Sequence, residues 1–240
     1  MKRYTLEEFV APLSERLNRT EVPAEPSPYA EPARPERSTD GMTQKQLVDT
    51  FCQEAEKIRV SVIRTKPEHA AEEVKRIVAD ARRDDKTNGV EAQQGPAVYA
   101  DDKRLIELGI HRALGVGAKK WDARKGREAL LDACNNARFG VTYAASAIAE
   151  TGTVVQPCDS KCGRSISLLP LAHIVLVDAD SIVATMADSL KALAAGGDEG
   201  GSALPSQVCF ISGPSVTSDI ELVRVEGVHG PMYVYYLVLD

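Results

Sequence analysis

Aromatic side chains are scarce in this chain: four Phe, seven Tyr and one Trp amount to 5% of 240 residues. Any core must therefore be built from Val, Ile, Leu and Ala. No run of 18 apolar residues occurs, so no membrane span is expected. The opening MKRYTLEEFVAPL has no apolar h-region, because Glu7 and Glu8 interrupt it. A secretory signal is thus not expected, and a cytoplasmic location is. Positive charge is not in excess. The 29 Lys and Arg face 35 Asp and Glu, a net −6, which argues against a polyanion binder and against nucleic acid as a partner. The sequence has no Cys-x-x-Cys, His cluster, His-Glu-x-x-His or Gly-x-Ser-x-Gly. The five cysteines (Cys52, Cys134, Cys158, Cys162 and Cys209) are odd in number and read as reduced thiols. Cys158 and Cys162 are half of a usual metal set, so no metal or cofactor is expected in this chain.

Hydrophobic residues make up 43% of the chain, enough for a sizeable core. Thr5-Leu-Glu-Glu8 fits a capping box, and Leu6, Phe9, Val10, Leu13 and Leu17 follow at helical spacing. Residues 1–20 therefore read as an amphipathic helix. Residues 21–41 carry Pro23, Pro26, Pro28, Pro32 and Pro35 and read as a linker. The main body, 42–240, alternates strand and helix signals. Leu47, Val48, Phe51, Ala55 and Ile58 form a helical stripe; residues 59–64 alternate like a strand. Ala70, Val74, Ile77, Val78 and Ala81 make the next helix face, and 97–99 is a short strand candidate. Helices are expected over 102–114 and 124–137. LAHIVLV at 171–177 has the continuous apolar character of a strand covered on both faces. Ile182, Val183, Met186, Leu190 and Leu193 read as one helix ending at Gly196-Gly197. Residues 208–211, 222–225 and 232–239 are expected to finish the same sheet. The pattern predicts an α/β fold, a mainly parallel sheet flanked by helices, with an N-terminal helical appendage. Ligands in such sheets sit beyond the carboxyl ends of strands.

Three loops are candidates for that position. In the first, Glu150 lies between Ala-Ile-Ala and Thr151-Gly152-Thr153. A carboxylate at the edge of an apolar strand is partly out of water, which suits acid–base or nucleophilic work. Gly152 would let backbone N–H groups approach a ligand. A solvated turn acid fits the position too. In the second loop, Ser212, Gly213, Ser215 and Thr217, followed by Asp219 and Glu221, come directly after an apolar run. Hydroxyls and amides there can form an anion nest, or cap a short helix. Asp219 and Glu221 share a face only if the segment is a strand. The third loop places His229 between glycines, where it can act as a base or bond its own backbone. The basic segment Lys119–Arg127, with Trp121 inside it, reads as a solvated helix start or a docking patch.

The segments AIAETGT (147–153), SLLPLAHIVLV (167–177), ISGPSVTSDIE (211–221) and GVHGP (227–231), in this order and spacing, closely resemble the lactate utilization protein C family, also called the LUD domain. The resemblance runs from about Leu47 to Leu239. It implies a fold like that of ribose-phosphate isomerase, glucosamine-phosphate deaminase and CoA-transferase. It also implies a subunit of an L-lactate-to-pyruvate system that binds a small anionic metabolite beside lactate utilization proteins A and B, which carry iron–sulphur clusters. It supplies no agreed catalytic residue. Glu150 and His229 are the catalytic candidates, and the Thr and Ser loops with Asp219 and Glu221 are the ligand-binding ones. A non-catalytic assembly partner, or a stand-alone transferase or isomerase on phosphorylated or CoA-linked substrates, stays open. Two features depart from the family pattern. Val216 stands where a basic residue is common after Ser-Gly-Pro-Ser, and the Cys158–Cys162 segment is not typical.

Overall fold

The computed structural model describes residues 5–18, 37–88, 94–195, 205, 207–218 and 224–240. Chain contacts divide it into Met1–Arg37 and Ser38–Asp240. In the first unit, α1 (Leu6–Arg16) begins directly after Thr5 and runs on through Pro12, which removes one backbone donor. The proline-rich stretch expected as a linker falls largely outside the described residues.

In the second unit, Thr43 opens α2 (Gln44–Lys57) with a complete capping box to Gln46. The apolar stripe of α2 buries Val48, Phe51 and Ala55. There follow β1 (Ser61–Thr65), α3 (Ala70–Asn88), β2 (Val98–Tyr99), α4 (Lys103–Glu107), α5 (Ile110–Ala113), β3 (Lys119–Lys120), α6 (Arg127–Asn136) and β4 (Phe139–Tyr143). The single helix expected over 102–114 is two, because Gly109 takes a left-handed φ of 71° between them. Next come β5 (Ser146–Ile148), β6 (Thr153–Cys158), α7 (Ser165–Leu168), β7 (Ala172–Asp178), β8 (Ile182–Val183) and α8 (Met186–Ala195). The chain closes with β9 (Gln207–Ile211), β10 (Val216–Ser218), β11 (Arg224–Glu226) and β12 (Tyr233–Leu239).

Six strands form a sheet in the order β1-β12-β7-β4-β2-β3. Every pairing in it is parallel. The continuous apolar run of β7 now has its reason. Ala172, Ile174 and Leu176 pack with Val74, Ile77, Ile110, Leu130 and Cys134 of the helices on one face. Val175 and Val177 pack with Val48, Phe51 and Ala55 on the other. Phe51 and Tyr236 stack there with ring centroids 5.6 Å apart.

A second, four-stranded sheet in the order β8-β5-β6-β9 covers the α2 face, and Ala147, Val154 and Ile182 join the core there. This corrects three expectations. Ile182 and Val183 are not the start of a helix but a strand beside β5. Residues 208–211 belong to the second sheet, antiparallel to β6, and are half-buried because β9 is its edge. Arg224–Glu226 does not extend the main sheet; it pairs with Val216–Ser218 as a separate antiparallel ribbon. A short apolar run reports burial, not which sheet it joins.

The chain path places the site. From β1 at one edge it crosses to β2, steps outward to β3, and returns to β4 on the other side of β2. It then continues inward to β7 and β12. The direction of travel therefore reverses between β2 and β4, and the crevice beyond their carboxyl ends is where such sheets hold ligands.

Candidate functional site: a charged cleft at the strand-order reversal

At that crevice lies a cleft of about 470 Å³, within the size range of small-metabolite sites. One wall is the β2–α4 connection, Ala100 to Arg104, and Tyr143 ends β4 beside it. Asp102 caps α4 by accepting from the Arg104 N–H at 2.9 Å. Its two oxygens also take the Arg104 guanidinium, at 3.1 Å from Nε and 2.7 Å from Nη2. Burial alone would push the Asp102 carboxyl up, but the Arg104 hydrogen bonds outweigh it and hold the group below its ordinary range. The guanidinium lies 3.7 Å above the centre of the Tyr143 ring. The Tyr143 hydroxyl donates to Asp178, the last residue of β7. Burial, reinforced by Asp178, pushes that phenol well above its ordinary value, so it stays protonated. Three successive strand ends are thus joined through Asp102, Arg104, Tyr143 and Asp178.

The other wall is the end of β6 and the loop after it: Gln156, Pro157, Asp159, Lys161 and Cys162. Asp159 Oδ1 accepts from the backbone of Lys161 at 2.7 Å and of Cys162 at 2.9 Å. Asp101 N–H donates to Lys161 O at 2.8 Å, which ties the two walls together. Trp121 is buried rather than displayed on a basic patch, and its Nε1 donates to Ser160 O at 3.1 Å. Within the basic segment around it, Lys120 pairs with Asp101 and Arg124 with Asp122.

Which charged groups of the cleft are already paired bears on its preference. Its three carboxylates are all engaged: Asp101 with Lys120 Nζ at 2.8 Å, Asp102 with Arg104, and Asp159 with backbone amides. Among the described residues, neither Lys103 nor Lys161 has an ion-pair partner. Lys103 and Lys161, which line the cleft, are thus outside any ion pair there and available to an anion, although the lining as a whole carries as many carboxylates as cations. No group of three or more His, Cys, Asp or Glu among the described residues is placed to hold a metal.

The three loops expected to carry the site are elsewhere. Glu150 sits in a 3₁₀ turn after β5, half-buried, its N–H donating to Ala184 O at 3.2 Å. Thr151, Thr153 and Ser212 are brought together as a chain of hydroxyls with 2.7 Å steps, so the first and second loops do meet. Gly152 (φ 61°) and Gly213 (φ 87°) make their close approaches to α2, not to open space. A Cβ on Gly152 would lie 2.4 Å from Ala55 N, and one on Gly213 2.6 Å from Ile58 O. Ile58 is in the turn that leads into β1, so both loops lie on the amino-end side of the sheet. Ser215 N–H donates to Pro231 O at 2.8 Å, and Met232 N–H to Leu171 O at 2.9 Å, just ahead of β12 and β7. Ser215 and the loop holding His229 are therefore at the amino ends as well. His229 and Thr217 are exposed, and Thr217 is in a strand, not in a capped helix. Asp219 and Glu221 lie outside the described residues. The second and third loops are expected at carboxyl ends when residues 208–211 and 222–225 are assigned to the main sheet, but β9 and β11 belong to other pairings, and the first loop follows β5 of the second sheet.

The cleft residues were missed although a signal existed. Asp101 to Arg104 directly follow the 97–99 strand candidate and open a helix, which is where a parallel strand delivers its carboxyl end. A run of charges there reads equally well as a solvated helix start. The buried His173 of β7 carries no such signal: its Nε2 meets Thr142 Oγ1 at 2.9 Å, and burial lowers its pKa to about 3, which keeps it neutral.

An all-parallel sheet flanked by helices, with a charged cleft beyond the strand ends at its reversal point, defines an α/β protein. The profile of the LUD domain matches residues 48–239, and the chain belongs to that family. It is 32% identical over 245 residues to lactate utilization protein C 1 of Bacillus mycoides (strain KBAB4), covering 98% of this chain and 96% of that one. It is also 32% identical over 208 residues to lactate utilization protein C of Oceanobacillus iheyensis, covering 83% and 82%. A solved DUF162 family protein from Deinococcus radiodurans shares the fold, with a TM-score of 0.52 at 20% identity over 83% of this chain and 99% of that one.

Proposed function

We propose that this chain serves lactate utilization by binding a small carboxylate of the 2-hydroxy- or 2-oxo-acid class in the cleft between the β2 and β4 ends. The observation that carries the reading is the pair of ammonium groups, Lys103 and Lys161, left without ion-pair partners among the described residues while the neighbouring carboxylates are engaged. In this reading the two ammonium groups take the carboxylate. Tyr143, fixed by Asp178 and covered by Arg104, forms a rigid side wall. The lactate utilization family of the relatives supplies the pathway. The chain acts in it beside lactate utilization proteins A and B, whose iron–sulphur clusters would handle the electrons.

Isothermal titration at low salt with L-lactate, pyruvate and inorganic phosphate tests the binding. The double variant Lys103→Ala/Lys161→Ala is expected to lose about 10-fold or more in carboxylate affinity, the effect of two charge-assisted contacts. Its unfolding midpoint should stay put, since both are solvated surface groups. Equal affinity in the wild type and the double variant would remove the cleft from the reading. The assembly is tested separately, by lactate oxidation of the co-expressed proteins with and without this chain.

A further inference from the structure

The cleft wall leads to a feature that anion binding does not use. β6 ends at Cys158, and its antiparallel neighbour β9 carries Cys209. Gln156 is opposite Cys209 and Cys158 opposite Gln207, so Cys158 and Cys209 are diagonal neighbours on one face of the pair. Their sulfurs stand 3.6 Å apart. Cys162, the next thiol, is turned toward Gln156, whose Nε2 donates to its sulfur at 3.5 Å. Among the described residues no group of three or more His, Cys, Asp or Glu is placed to hold a metal ion, and the contact between the two sulfurs is that of a dithiol. Cys209 is half-buried and reachable, whereas Cys158 is buried. β9 is the edge strand of its sheet and yields more easily than β6, and the sulfurs must close to about 2.05 Å to bond.

We infer that Cys158 and Cys209 form a reversible disulfide, a redox-modification site on the edge of the second sheet. The co-reactant is a low-molecular-weight disulfide. The Cys209 thiolate attacks one of its sulfurs, forming a mixed disulfide and releasing one small thiol. The Cys158 thiolate then attacks the Cys209 sulfur and expels the second small thiol. Two protein thiols thereby lose two electrons and two protons, and one small disulfide becomes two thiols. Burial pushes the Cys158 thiol up and disfavours its thiolate, so closure quickens as pH rises. The bond would staple β9 to β6 directly before the loop that carries Lys161, but its formation does not depend on ligand binding.

The sequence makes the test direct. Trypsin cleaves at Lys161 and so puts Cys158 in peptide 139–161, Cys162 in 162–164 and Cys209 in 192–224. The reduced full chain is treated with oxidised glutathione, the remaining thiols are blocked with N-ethylmaleimide in denaturant, and the digest is read by mass spectrometry. The expected product is 139–161 joined to 192–224, about 2 Da lighter than the two reduced peptides together and lost on adding dithiothreitol. It should be absent from Cys209→Ser and Cys158→Ala, while Cys52 and Cys134 stay maleimide-labelled in every sample. Maleimide on both peptides, a glutathione adduct persisting on Cys209 without the link, or a link from 139–161 to 162–164 would each overturn the inference.

Discussion

The two ends of the parallel sheet differ in what they display and in what they do. The amino-end side holds the motif-like loops, rich in Gly, Ser and Thr, and their glycines press against α2 while their hydroxyls bond one another. The carboxyl end holds an unremarked run, Ala100 to Arg104, with Tyr143 and the 159–162 loop, and there the side chains open onto a cleft. A glycine that permits a close approach does not say what approaches. Here it is a helix backbone. Cations outside any ion pair beside a strand end are a different kind of feature, because pairing them requires something that is not in the fold.

Substitutions that separate stability from binding sharpen this contrast. The largest effect is expected for Gly152→Ala, which puts a Cβ 2.4 Å from Ala55 N at a left-handed φ of 61°. The clash with backbone and the strained conformation should cost about 3 kcal/mol, read by urea unfolding, with carboxylate affinity unchanged in the protein that remains folded. Lost affinity at unchanged stability would return this loop to the site.

Asp102→Asn should give a moderate, pH-dependent effect at the opposite end. The folded-state pKa of Asp102 is depressed, so its contribution is present above its ordinary value of 3.8 and is lost as pH falls through the lower folded value. Urea midpoints of wild type and Asp102→Asn should therefore differ at pH 7 and draw together as pH falls below about 4. A gap that does not narrow as pH falls below 3.8 would mean that the carboxylate charge is not what holds Arg104. The smallest effect is expected for His229→Ala. An exposed side chain at the amino-end side should change stability by less than about 0.5 kcal/mol and leave carboxylate titrations unaltered. A 10-fold loss of affinity would instead make His229 part of the site.

Much of the fold was legible because periodicity and burial go together. The stripe of Val48, Phe51 and Ala55, the alternation after Arg59 and the double-sided run of β7 each follow from which faces meet the core. The pairings of β8, β9 and β11 were not legible, since two to five apolar residues look alike in any sheet. The candidate site was legible only as a rule about carboxyl ends. Applying the rule needs the strand order, and Gly109 hides even the helix that Asp102 caps by splitting it.

By itself the amino-acid sequence determined the α/β class, the membership of the LUD domain family and the parallel character of the sheet. Those properties rest on local periodicity and on motifs contiguous in the chain. Only the tertiary structure decided that strand order reverses between β2 and β4, that the Ser, Thr and Gly loops belong to the amino-end side, and that Lys103 and Lys161 stand unpaired among the described residues around one cleft. It also decided that Cys158 meets Cys209, 51 residues further along the chain, rather than nearby Cys162. These are long-range pairings, set by which sheet each strand joins, and no local pattern encodes that choice.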